Sequence, residues 1–179
     1  MKRSLRNRLL SIGVVALALG AFSPAHAYPV YRSVTANAAT GVVVWTKDNF
    51  GVSGTPPTLS FFHYDNDAAA RDGLPLAQCF VKVDLPDGDP PKPGDAANVG
   101  NADIPVNASE ADKPKPFSWV ITFDNDPPGH WSIARSQITD ATTNAAASRV
   151  AASGFQSLAT TAGSKVTVIN GTLENCTAQ

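Results

Sequence analysis

Apolar and polar residues alternate with a period of two over several short stretches of the chain. In residues 77–85, Cys79, Val81, Val83 and Leu85 fall on one side, and Phe80, Lys82 and Asp84 on the other. In 117–123, Phe117, Trp119, Ile121 and Phe123 alternate with Ser118, Val120 and Thr122. Residues 30–36 place Val30, Arg32 and Val34 together, and 131–138 do the same for Trp131 and Ile133. Residues 41–46 hold the β-branched run Val42-Val43-Val44 ahead of Trp45, and 58–64 are aromatic-rich after Pro56-Pro57. Residues 165–170 and 172–176 flank Asn170-Gly171, a dipeptide suited to a tight hairpin. A period of two means that successive side chains point to opposite faces of a strand. The pattern predicts a mostly β fold of about eight short strands, antiparallel and packed as a single β-sandwich.

Two stretches break the pattern. In 140–158, Ala147, Ala151, Phe155 and Leu158 recur at helical spacing, with Asp140 as a candidate cap. Gly154 inside it costs a helix about 1 kcal/mol relative to Ala. A hairpin turning at Ser153-Gly154 is the rival, and the spacing favours a short Ala-rich helix. Residues 86–116 hold seven of the 14 prolines and no aromatic residue, and their only aliphatics larger than Ala are Val99, Ile104 and Val106. Such a span lacks the means to bury its backbone and reads as a long Pro/Asp-rich loop, the most mobile part of the domain.

The chain begins with basic residues, followed by an apolar run over 9–21, Pro24, and Ala25-His26-Ala27. That is the order of a secretory signal peptide, with cleavage predicted after Ala27. The apolar run is shorter than the about 20 residues a membrane-spanning helix needs. The organisation is therefore 1–27 as a cleaved export signal and 28–179 as one β-rich domain, in the periplasm or secreted, with no membrane span in the mature chain. Lys2, Arg3, Arg6 and Arg8 leave with the signal. Ten basic residues then face fifteen acidic ones, which argues against a nucleic-acid partner. Thirteen of those acids are Asp, which favours turns and caps over helix interiors. The two cysteines, Cys79 and Cys176, are predicted to form a disulfide in an oxidising compartment.

Candidate chemistry centres on an internal echo. Phe61-Phe62-His63-Tyr64 runs into Asp65-Asn66-Asp67, and 117–123 runs into Asp124-Asn125-Asp126, with His130 beyond. If the two strands run in the same direction, Asp65, Asp67, Asp124 and Asp126 come to one end of the domain and present oxygen ligands suited to calcium. Plain turn chemistry is the competing account of the same residues. Asp84, Asp87, Asp89 and Asp95 form a second acidic stretch, without the closing Glu of a calcium loop, and read as solvated loop. Tyr64, His63, His130 and Trp131 are the candidate binding surface, for a protein or carbohydrate ligand outside the cytoplasm. No nucleophile elbow, zinc-protease motif or phosphate-binding glycine loop occurs. The expected role is a non-enzymatic binding or structural module of the cell envelope or extracellular space. The alternatives are a carbohydrate-binding module, or a small exported hydrolase using Asp and His at the two Asp-Asn-Asp turns.

Overall fold

A computed structural model describes residues 28–86, 91–101, 119–140 and 142–179. The expected export segment, Phe117, Ser118, Asp87, Asp89 and much of the 86–116 span lie outside the described residues. The strands are β1 (Tyr28–Val34), β2 (Thr58–His63), β3 (Cys79–Leu85), β4 (Ala96–Gly100), β5 (Trp119–Phe123), β6 (His130–Ala134) and β7 (Val166–Asn170). They form one sheet in the order β4-β5-β6-β2-β1-β3-β7, antiparallel at every junction. The helices are α1 (Asp67–Gly73), α2 (Arg135–Ile138) and α3 (Asn144–Thr160).

The mostly β, antiparallel architecture matches the alternation in the sequence. Its layers differ from the expected sandwich, because the seven described strands make one curled sheet with a helix as the second layer. Each amphipathic strand needs apolar cover on its inner face, and α3 supplies it with Ala147, Val150, Ala151, Phe155 and Leu158. These pack with Val30, Leu59, Phe61, Val81, Val83, Trp119, Ile121 and Ile133 in one core. On the outer face, α1 closes a smaller cluster of Tyr31, Ala70, Ala77 and Phe80. Phe80 is therefore buried as completely as its alternates Cys79 and Val81. Near the sheet's two edges, Lys165 Nζ reaches 3.0 Å to the Asn98 carbonyl of β4 from the residue ahead of β7.

The helix expected over 140–158 forms as α3, starting later than Asp140. Thr143 is the cap, its hydroxyl accepting the Ala146 N–H at 3.2 Å. Gly154 is required by packing: a Cβ placed there would lie 2.2 Å from the Trp119 ring. Gly→Ala in a helix ordinarily stabilises by about 1 kcal/mol. Here Gly154→Ala is expected to lower the melting temperature, because the ring has no room to withdraw from a fully packed core. A thermal melt of the variant checks this, and a rise would contradict the packing.

Four local expectations are corrected. Residues 41–46 form no strand; the chain turns at Gly41 (φ 72°), and only isolated bridges, Ala36 to Val43 and Val42 to Thr177, join them to neighbours. Residues 172–176 form no return strand on β7. Gly171 and Leu173 instead donate to the Gln78 carbonyl, which leads the chain across the start of β3. The 131–138 run ends as strand at Ala134, where the Gln137 side chain accepts the Ala134 N–H at 2.9 Å and opens α2. Within the expected 86–116 loop, Ala96–Gly100 is strand β4, paired with β5 and anchored by buried Val99. The sequence pattern also missed α1, which Asn66 caps by accepting the Ala69 N–H at 3.0 Å.

Candidate functional site

The two Asp-Asn-Asp turns lie at the same end of the sheet. β2 and β5 each pair antiparallel with β6, so they run in the same direction and leave the sheet at the same end. One strand stands between them, which separates the turns by about 10 Å at the usual interstrand spacing. Each turn has its own local purpose.

The first turn joins β2 to α1. Asn66 is the helix cap, and Asp67 opens the first turn, where a carboxylate is favoured by the exposed N–H groups. Asp67 also accepts the Tyr31 hydroxyl at 2.8 Å and lies 3.3 Å from Lys82 Nζ. Lys82 is equally 3.3 Å from Asp84. Burial, reinforced by Asp67 as acceptor and as a negative charge, pushes the Tyr31 phenol far above its ordinary pKa. Pro29, Tyr31, Asp65, Asn66, Asp67, Ala68, Lys82 and Asp84 line a shallow pocket of about 390 Å³ beside this turn.

The second turn is the β5–β6 hairpin. Asn125 holds the left-handed conformation (φ 55°) and its side chain accepts the Gly129 N–H at 2.8 Å. The hairpin brings Asp124 opposite His130, whose Nδ1 donates to the Asp124 carboxylate. The other carboxylate oxygen accepts the Ser132 hydroxyl at 2.8 Å. The carboxylate is thus the hub, with Ser132 and His130 both donating to it. A nucleophilic triad needs the imidazole in the middle, taking the serine proton. Here the Ser132 proton is committed to Asp124, so the arrangement orients an imidazole without activating this hydroxyl. Asp126 is exposed on the hairpin.

His63 closes the end of β2. Its Nδ1 donates to the Pro29 carbonyl at 2.9 Å, its Nε2 is 3.5 Å from exposed Asp65, and Tyr28 stacks on the ring at 3.7 Å. Burial pushes the Tyr28 phenol above its ordinary pKa; the Trp131 indole N–H opposes that shift, and the Asp65 charge adds to it. Trp131 packs against Phe123 and is only 4% exposed, so it belongs to the core and offers no stacking face to a ligand. Its Nε1 makes no hydrogen bond of good geometry among the described residues. His130 is also buried. Tyr64 is half-buried against the α1 cluster. Of the candidate binding residues, His63 and Tyr64 keep partial access to solvent.

Sequence reasoning placed the carboxylates at one end but missed Lys82, which sits between Asp67 and Asp84 and meets the negative charge with an ammonium. It also missed Tyr31, since Asp67 reaches that hydroxyl only through the β1–β3 and β1–β2 register. Among the described residues, no three His, Cys, Asp or Glu come together closely enough to hold a metal ion. No helix among them is long and apolar enough to cross a membrane. Comparison with family models, with curated proteins and with solved structures finds no match.

Proposed function

We propose that this chain is an exported, non-enzymatic binding or structural module that works in the cell envelope or outside the cell. The observation that carries the reading is the Cys79–Cys176 disulfide, which links residues 97 apart in the sequence. Such bonds persist in oxidising compartments and are rare in the cytosol. The basic, apolar, small-residue order of 1–27 supports the same route, and cleavage after Ala27 would leave Tyr28 at the N-terminus.

The side chains at the turn end suit bracing and recognition better than turnover. Asp67 is held by Tyr31 and Lys82, and Asp124 by His130 and Ser132. A ligand at the shallow pocket meets the Lys82 ammonium and the Asp65, Asp67 and Asp84 carboxylates, a lining complementary to a polar carbohydrate or a polar protein segment outside the cytoplasm. Binding of residues 28–179 to envelope polysaccharides and to extracellular protein extracts tests this reading. A Lys82→Ala variant should weaken capture at least about tenfold, the scale of one lost charge-assisted contact. Capture unchanged by Lys82→Ala places the ligand elsewhere; absence of any ligand leaves a structural role. The hydrolase alternative rests on the oriented His130. It requires that His130→Ala abolish turnover of a substrate that the wild type hydrolyses.

The calcium expectation has a direct test. A specific cation in excess stabilises a fold by mass action, about 2.7 kcal/mol at a hundredfold excess over its dissociation constant. With Lys82 between Asp67 and Asp84, and two donors on Asp124, calcium and chelator are expected to shift the melting temperature by less than about 1 °C. A rise of several degrees that disappears in Asp65→Asn plus Asp124→Asn would establish a cation site.

A further inference from the structure

We propose that residues 171–178 form a redox-latched strap. Reduction of Cys79–Cys176 by a thiol reductant releases the strap, loosens the 37–46 loop around its buried Val43 anchor and uncovers Trp45, and leaves the seven-stranded sheet and α3 folded.

The strap has two parts. The first leaves β7 and lies across the start of β3, with Gly171 and Leu173 donating to the Gln78 carbonyl and Thr172 to Ala77. The second reaches the 37–46 loop. The Thr177 N–H donates to the Gly41 carbonyl at 3.0 Å, the Thr177 carbonyl accepts from Val43 at 3.0 Å, and the Ala178 carbonyl accepts Trp45 Nε1 at 3.1 Å. The disulfide sits where the two parts join, with the Cys176 N–H held by the Asn170 side chain at 3.0 Å. No residue of 171–178 is fully buried, and only Leu173 and Cys176 pack on the edge of the core, so the strap leans mainly on its hydrogen bonds and the covalent latch.

The loop under the strap caps an aromatic ladder. Trp45 stacks on Phe50 at 5.3 Å, and Phe50 stacks on Phe155 at 5.6 Å inside the main core. Trp45 is the outer, partly exposed rung, and Phe50 beneath it is fully buried. Freeing Trp45 therefore uncovers the Phe50 edge while Phe155 stays held by Phe61 and Trp119.

Exposure sets the route of reduction. Cys79 is fully buried and Cys176 is half-buried. The reductant's thiolate attacks Cys176 Sγ, the Cys79–Cys176 bond breaks, and Cys79 leaves as a thiolate that takes a proton. A second reductant thiol then displaces Cys176, which takes the other proton, and the reductant ends as a disulfide.

Hydrogen–deuterium exchange of residues 28–179, with and without a dithiol reductant, tests the proposal. In the reduced protein, peptides covering 37–46 and 171–178 are expected to exchange at least about tenfold faster at short labelling times, by local opening, whereas β3, β5 and α3 keep their protection at those times and speed up only in their slowest amides, which open by global unfolding. Cys176→Ser should reproduce this pattern without reductant. Thr177→Pro, which keeps both cysteines and removes the N–H given to Gly41, should loosen 37–46 alone. A single-thiol reagent should be trapped on Cys176. Protection lost from β3, β5 and α3 at short labelling times, no acceleration in 37–46, or an adduct on Cys79 overturns the proposal.

Discussion

Phe155→Ala is expected to cost about 3–5 kcal/mol of unfolding free energy, the upper range for truncating a buried aromatic residue. Phe155 is fully buried and touches three separate parts of the fold. Its ring lies 5.6 Å from Phe50 of the 46–53 segment, 5.2 Å from Phe61 of β2 and 5.2 Å from Trp119 of β5. Truncation leaves a cavity that none of these can fill, because each ring is itself fixed by neighbours: Gly154 backs onto Trp119, and Arg32 lies 5.9 Å over Phe50. At about 2–4 °C per kcal/mol for a chain of this size, the melting temperature should fall by about 6–20 °C. Chemical denaturation with unchanged slope and a lower midpoint is the matching signature. A loss below about 1 kcal/mol would mean that α3 is not the second layer of the core.

Replacing both cysteines, Cys79→Ala with Cys176→Ala, is expected to cost about 2–5 kcal/mol. The bridge closes a loop with a separation of 97 residues, for which the chain-entropy account gives up to about 4.7 kcal/mol by restricting the unfolded chain. The packing lost with the Cys79 sulfur adds to that figure, since Cys79 lies in the main core. Denaturant titration of the oxidised wild type against the double variant gives the difference. Equal midpoints would show that the bridge contributes nothing to the fold.

Where the sequence was legible, the reason is that local periodicity reports burial directly. Cys79, Val81, Val83 and Leu85 alternate because one face of β3 meets the core, and Ala147, Ala151, Phe155 and Leu158 repeat because α3 lies on it. What escaped was of two kinds. Short elements with little apolar content carry no period: β4 is Ala-Ala-Asn-Val-Gly, and α1 has three alanines after Asp67 that look neutral until Asn66 is seen as the cap. Contacts set by register are invisible before pairing is known. Asp67 meets Tyr31 and Lys82 across sequence gaps of 36 and 15 residues, and only the order β2-β1-β3 brings them together. The same ignorance of pairing produced the sandwich expectation, since eight strand patterns do not say how many sheets they form. Trp131 shows the converse error. Its neighbourhood to a polar turn suggested a surface, whereas its cross-strand partner Phe61 faces the core and takes Trp131 with it.

The Asp124–His130 pair lies between these cases. The two residues are six apart across Pro127-Pro128-Gly129, and a hairpin there places them opposite one another. The turn chemistry was readable, and the hydrogen bond followed from it once β5 and β6 were known to pair.

The central claim is an exported domain that begins at Tyr28 and is closed by one disulfide. Intact mass of the protein recovered from a bacterium expressing the full chain, with free thiols alkylated before analysis, tests it most directly. The account predicts the mass of residues 28–179 less two hydrogens, with no alkyl group added. A mass retaining residues 1–27, with both Cys79 and Cys176 alkylated, would contradict it.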